Sequence, residues 1–106
     1  MGKVVVATDY GGCRDFLDAT CGFPVKAEVT ALDQTYGPYL RGAEWGQVDE
    51  ADLARALTDA ARAVASGDAA RIGAAARARI RERLSTGAVA AAMEASLDRL
   101  LAAERI

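Results

Sequence analysis

Three consecutive β-branched residues, Val4, Val5 and Val6, lead through Ala7-Thr8-Asp9-Tyr10 straight into the glycine pair Gly11-Gly12. A strand covered on both faces of a parallel sheet has no solvent side, so it reads as an unbroken apolar run of this kind rather than as an alternating one. The glycines supply a turn with unrestricted dihedrals and room for close backbone approach. Asp15, Phe16 and Leu17 then predict a short helix. About fourteen residues separate Thr8 from Phe23, enough for the dozen or so that a parallel crossover needs. A minimal β-α-β unit is therefore expected, with its second strand starting near Phe23. Pro24 has no N–H to give to a ladder, so that strand is expected to lie at a sheet edge or to end there. A native domain rarely opens on a buried strand, so the chain reads as if it starts with a domain already under way.

At 106 residues the chain is one small domain spanning residues 1–106. Its hydrophobic fraction of 52% overstates the core: 25 residues are alanine, while leucine, isoleucine, valine and phenylalanine together number 22. Alanine favours helix but buries little side chain. A core this lean is expected to be marginal alone and to gain from a partner surface. The net charge of −2 is too small to draw in nucleic acid or a membrane surface over distance. No apolar run approaches the length of a membrane span and no charged-then-apolar leader is present, so the expected location is cytoplasmic.

The absence of histidine rules out Ser-His-Asp and Cys-His arrangements and any histidine general base. Cys13 and Cys21 lack metal-ligand spacing and have no histidine to join them, so reduced thiols are expected and no metal or cofactor site is assigned. Cys13 follows the glycine turn at a helix start, where a dipole can lower a thiol pKa.

Ala27 to Val48 contains Gly37, Pro38, Gly42 and Gly46 and shows no sustained period. It is read as a long loop with an extended piece near Val29, packed down by Tyr36, Tyr39 and Trp45. Three closing helices follow. The first runs from Glu50 to about Ala65, capped by Asp49, with Leu53, Leu57, Ala60 and Val64 expected on its core face. Ser66-Gly67-Asp68 ends it and caps the second, which runs from Ala69 to about Leu84. There Ile72, Ala76, Ile80 and Leu84 form a buried stripe, and Arg71, Arg77, Arg79, Arg81 and Arg83 form a solvated face. Ser85 caps the third, whose apolar face is Val89, Met93, Leu97, Leu100 and Leu101. An apolar stripe without a partner predicts self-association.

Gly2 to Asp15 resembles the segment G-x-P-V-V-A-T-D-x-G-G-x-x-E/D in the C-terminal domain of retaining, family-4-type glycosyltransferases with the GT-B fold. Val4 replaces the usual proline, and Asp15 stands where that family often has glutamate. Thr20-Cys21-Gly22-Phe23-Pro24-Val25 is similar to the family's T-G-F-L-V strand. Tyr36-Gly37-Pro38-Tyr39-Leu40-Arg41-Gly42-Ala43-Glu44-Trp45 is similar to its P-Y-x-x-G-A-x-W stretch, and Asp49 to Val64 and Ala69 to Leu101 match its closing helices. The resemblance covers nearly the whole chain. It implies a partial Rossmann-like α/β fold, namely a two-stranded parallel piece with three closing helices from the nucleotide-sugar-binding domain.

In that family two glutamates seven residues apart handle the donor, on the helix before the G-x-P-V-V-A-T strand. The chain begins after the position of that helix, so no residue inherits their role. The resemblance thus implies the C-terminal portion of an enzyme that moves a hexose from a nucleotide-diphosphate sugar to an acceptor hydroxyl. The isolated chain is expected to be inactive and to have no catalytic residue of its own. Ligands of open parallel sheets sit beyond the carboxyl ends of the strands, which makes Thr8, Asp9, Gly11 and Gly12 the candidate substrate-binding residues, with free amides at the helix start available to an anion. The expected partners are a nucleotide-sugar donor in the intact enzyme and either a second copy or the missing N-terminal portion. The alternative is a small α/β interaction or subunit module that dimerises or completes a separate glycosyltransferase chain. An unpaired strand edge would serve such pairing.

Overall fold

The computed structural model describes residues 1–104. Its elements run in the order β1 (Val6–Thr8), a 3-10 helix (Gly11–Asp15), β2 (Phe23–Val25), β3 (Ala27–Ala31), β4 (Glu44–Val48), α1 (Glu50–Ser66), α2 (Asp68–Leu84) and α3 (Thr86–Glu104). The class is mixed α/β. β1 and β2 pair in parallel, with Val6 against Phe23, Ala7 against Pro24 and Thr8 against Val25. The parallel pairing agrees with the expected β-α-β order, but β1 includes only Val6 of the valine run, none of its residues is fully buried and Val5 is exposed, so the strand is not covered on both faces. The ladder extends one step at each end, through Phe23 N donating to the Val5 carbonyl at 2.9 Å and Asp9 N donating to the Val25 carbonyl at 2.7 Å. Pro24 lies on a strand with a single neighbour among the described residues, so its missing N–H costs no ladder bond.

The crossover differs from the expected helix around Phe16 and Leu17. A 3-10 turn begins at Gly11 and ends at Asp15. Glycine is a weak α-former but accepts a tight turn at no steric cost, and Gly11 has a φ of +62°. Phe16 and Leu17 leave the turn, with Leu17 N donating back to the Cys13 carbonyl at 2.9 Å. The Leu17 side chain is buried and fills the space that a side chain at Gly22 would need.

The larger correction concerns Ala27 to Val48, which is an antiparallel hairpin and not a loop. β3 and β4 pair from Ala27 against Val48 to Ala31 against Glu44. The glycine and proline cluster forms the connection, where Tyr36 and Tyr39 exchange backbone hydrogen bonds of 2.9 and 3.0 Å. Alternation of apolar and polar residues marks a strand only when one face is buried. Here both faces are largely open, so the strands left no such signature.

α1 starts where expected, with the Asp49 carboxylate accepting from Asp52 N at 2.9 Å. Gly67, with φ at +87°, ends it and turns directly into α2. Ser85 Oγ accepts from Ala88 N at 3.2 Å at the start of α3. The face of α1 is rotated from the expected one. Ala56 and Ala63 are buried and Leu53 and Ala60 half-buried, whereas Leu57 and Val64 are exposed. The inward stripe is therefore Leu53, Ala56, Ala60, Ala63, because a surface of methyl groups lets the helix approach the sheet closely. On α2, Ile72 and Ala76 are half-buried, Ile80 and Leu84 lie open, and the buried residue is Gly73. The backbone of Gly2 passes directly over it, and a methyl group at Gly73 would collide with the Gly2 carbonyl.

The buried side chains are Leu17, Cys21, Val25, Leu32, Ala56 and Ala63. Val25 of β2 and Ala56 and Ala63 of α1 lie where α1 packs on β2, Leu17 and Cys21 belong to the crossover, Leu32 lies at the hairpin, and none of them comes from α3. The radius of gyration is 18.2 Å, against about 13 Å for a compact domain of this length. α3 packs on α2 near their shared turn and on nothing else to a comparable extent.

Candidate functional site

The predicted site residues form one continuous surface at the carboxyl end of β1. Thr8 closes the strand and Asp9 makes the last ladder bond, to Val25. Tyr10 is extended, and its ring lies on Gly46 of β4, where a methyl group would meet it at 2.7 Å. Sheet, turn and hairpin are joined through that contact. Gly11 and Gly12 are exposed, with no neighbouring group over either.

Arg14 organises the turn, a role that its position in the sequence does not disclose. Its Nε donates to the Asp9 carbonyl at 3.1 Å and to Asp9 Oδ1 at 3.0 Å, closing the loop from strand to 3-10 helix. Asp9 is thus paired with Arg14. The expected anion position at the helix start is weaker than an α-helix would make it. A single 3-10 turn of five residues aligns few peptide dipoles. The turn offers exposed glycine amides and one arginine already paired, and an anion held here needs groups from another surface as well.

Two further arginines, both assigned to a solvated face, fold back onto this region. Arg79 of α2 donates to Asp18 Oδ2 and, at 3.1 Å, to Thr20 Oγ1. Arg83 donates to the Asp15 carbonyl at 3.1 Å. Together they tie the crossover to α2. The Thr20 hydroxyl and the Arg79 guanidinium, with Thr20 N, hold the Asp18 carboxyl far below the usual carboxylate range, and Arg79 is raised in turn by Asp18. A second clamp fixes the start of α1. Asp52 accepts from Arg55 Nε at 2.7 Å and from Lys26 N at 2.8 Å, and these contacts lower its pKa to about 2. Both clamps tie separate segments of the chain together.

Cys13 is half-buried and Cys21 buried, both as free thiols, and Cys21 Sγ donates to the Phe16 carbonyl at 3.4 Å. No group of three or more histidine, cysteine, aspartate or glutamate side chains that could hold a metal ion occurs among the described residues. No helix among them is long and apolar enough to cross a membrane.

Three hollows of the surface are lined by residues outside the glycine turn. One of about 490 Å³ runs between the first residues and α2, lined by Gly2, Val5, Ala76 and Ile80 among others. Another of about 530 Å³ is apolar and lies along α3, lined by Leu84, Val89, Met93, Leu97 and Leu100. A third, of about 270 Å³, sits on the hairpin beside Tyr36 and Trp45. Comparison of the chain with family models, with curated proteins and with solved structures finds no match.

Proposed function

We propose that the chain is the C-terminal portion of the nucleotide-sugar-binding domain of a GT-B-type retaining glycosyltransferase, contributing one wall of a donor cleft whose other wall lies on a different surface. The supporting observation is the parallel pairing of β1 and β2, with Thr8, Asp9, Gly11 and Gly12 at the carboxyl end of β1, where open α/β sheets take their ligands. It agrees with the motif-by-motif resemblance of the sequence. The donor is a nucleotide-diphosphate hexose and the acceptor a hydroxyl. The chain by itself contributes neither an acid nor a base to the transfer and holds the donor weakly.

The test is a titration of the full chain with UDP-, GDP- and ADP-glucose, followed by backbone amide NMR. The reading predicts shifts confined to Thr8 to Gly12 for one of the three, saturating only in the millimolar range. Unmoved amides there with all three contradict it.

A second reading is favoured by α3, which buries none of its residues. In that reading the chain is an α/β interaction or subunit module that dimerises or completes a separate glycosyltransferase chain. The glycine turn is then only a turn, and no nucleotide sugar moves its amides.

A further inference from the structure

Successive side chains of a strand point to opposite faces. Trp45 pairs with Thr30 and Gln47 with Glu28, so these four share one face of the hairpin. Gly46 belongs to the other face, where Tyr10 packs. On the first face the Tyr36 and Trp45 rings stack, with centroids 5.7 Å apart and planes inclined by 18°. The Tyr36 hydroxyl donates to Asp33 Oδ1 at 3.2 Å and accepts from Gln34 Nε2 at 2.9 Å, so the ring is fixed before any ligand arrives. Buried Leu32 lines the floor of the same hollow. Both residues of the stack remain partly open to solvent, at 41% for Tyr36 and 38% for Trp45. They form the wall of the 270 Å³ hollow, with Thr30, Asp33 and Gln47 at its edge.

We propose that this hollow binds a neutral saccharide, with the C–H face of a pyranose on the Tyr36–Trp45 wall and its hydroxyls on Thr30, Asp33 and Gln47. A pyranose combines a flat apolar face with a rim of groups that both donate and accept. The hollow combines a flat aromatic surface with a hydroxyl, a carboxylate and a carboxamide. Asp33 spends one oxygen on Tyr36 and has a second for a sugar hydroxyl. A phosphate does not suit the site, because the one charged residue lining it is an aspartate. The ligand is thus a neutral sugar and not a nucleotide sugar. Only its role, as part of an acceptor glycan, rests on the glycosyltransferase reading.

Trp45 is the single tryptophan of the chain, so its fluorescence reports on the hollow directly. The full chain is titrated with linear α-glucan, β-glucan and α-mannan hexasaccharides, and separately with UDP-glucose. At least one hexasaccharide is expected to give a saturable change, weakened about three- to tenfold by Tyr36→Ala. Gln47→Ala, at an exposed position that leaves the hairpin ladder intact, is expected to weaken it as well. The absence of a saturable change with all three hexasaccharides overturns the proposal, as does affinity unaltered in both variants. The donor reading is scored separately by the amides of Thr8 to Gly12, so saccharide binding at Trp45 without nucleotide-sugar shifts upholds this site and removes only its assigned role.

Discussion

Asp18 and Asp52 contribute to the response of the fold to acid. Each carboxyl is held below its ordinary value of 3.8, so the folded chain binds these protons less readily than the unfolded chain does. The stability they contribute is fully present above about pH 4 and is lost as pH falls through the folded values, for Asp52 about 2. Urea midpoints measured from pH 7 to pH 2 are expected to be flat with respect to these groups down to about pH 4 and then to decline. Asp52→Asn should lower the midpoint at neutral pH and flatten part of the acid limb. An acid limb identical to that of the parent chain contradicts the clamp. Gly73 gives a second test at this scale. Alanine is the better helix former by about 1 kcal/mol, yet its methyl would strike the Gly2 carbonyl. Gly73→Ala is therefore expected to lower the melting temperature, with a net loss of about 1–2 kcal/mol; a rise would mean that the first residues do not pack on α2. Neither feature was legible in the sequence. An arginine among five on one helix carries no mark of which one finds a carboxylate 61 residues away, and a helix glycine gives no sign of what crosses it.

Among the elements, the helices were legible and the hairpin was not. Asp49, Gly67 and Ser85 mark the helix boundaries through local backbone chemistry, which depends little on the rest of the molecule. The parallel pair followed from the crossover length, whereas the valine run overstated the burial of β1, of which only Val6 belongs to the run. β3 and β4 were hidden because a ribbon exposed on both faces has no alternation to read, and its stability comes from backbone pairing and from Tyr10, Leu32 and the Tyr36–Trp45 stack. Side-chain size points to Leu53, Leu57 and Val64 as the core face of α1, whereas the inward stripe keeps Leu53 and is otherwise made of alanines. Two substitutions separate these descriptions. Ala56→Leu adds bulk at a fully buried position and is expected to cost about 1–3 kcal/mol. Leu57→Ala, one residue on and exposed, should change stability by less than about 0.5 kcal/mol. Denaturant unfolding of the pair distinguishes them, and the reverse order would restore the leucine stripe.

The whole molecule is open where its sequence said it would be lean. Its buried side chains are few and small, α3 stands away from the remainder, and β1 has a single strand partner among the described residues. Helices of this length gain most of their stability from packing an apolar face rather than from propensity. Val89, Met93, Leu97, Leu100 and Leu101 supply such a face and are all exposed. Thr8, Asp9, Gly11 and Gly12 follow one another at the carboxyl end of β1, as the strand-to-glycine pattern leads one to expect, and nothing covers Gly11 or Gly12.

In the proposed reading these residues form a dependent part of a larger assembly, with too little of a donor site to act alone. Light scattering across a concentration series, with and without UDP-, GDP- and ADP-sugars, tests it most directly. The account predicts a mass above that of the monomer, indifferent to every nucleotide sugar, and restored to the monomer value by Met93→Glu combined with Leu97→Glu at unchanged helix content. A parent chain that stays monomeric at all concentrations, and whose stability rises with one nucleotide sugar, would contradict it and would give the glycine turn a complete donor site of its own.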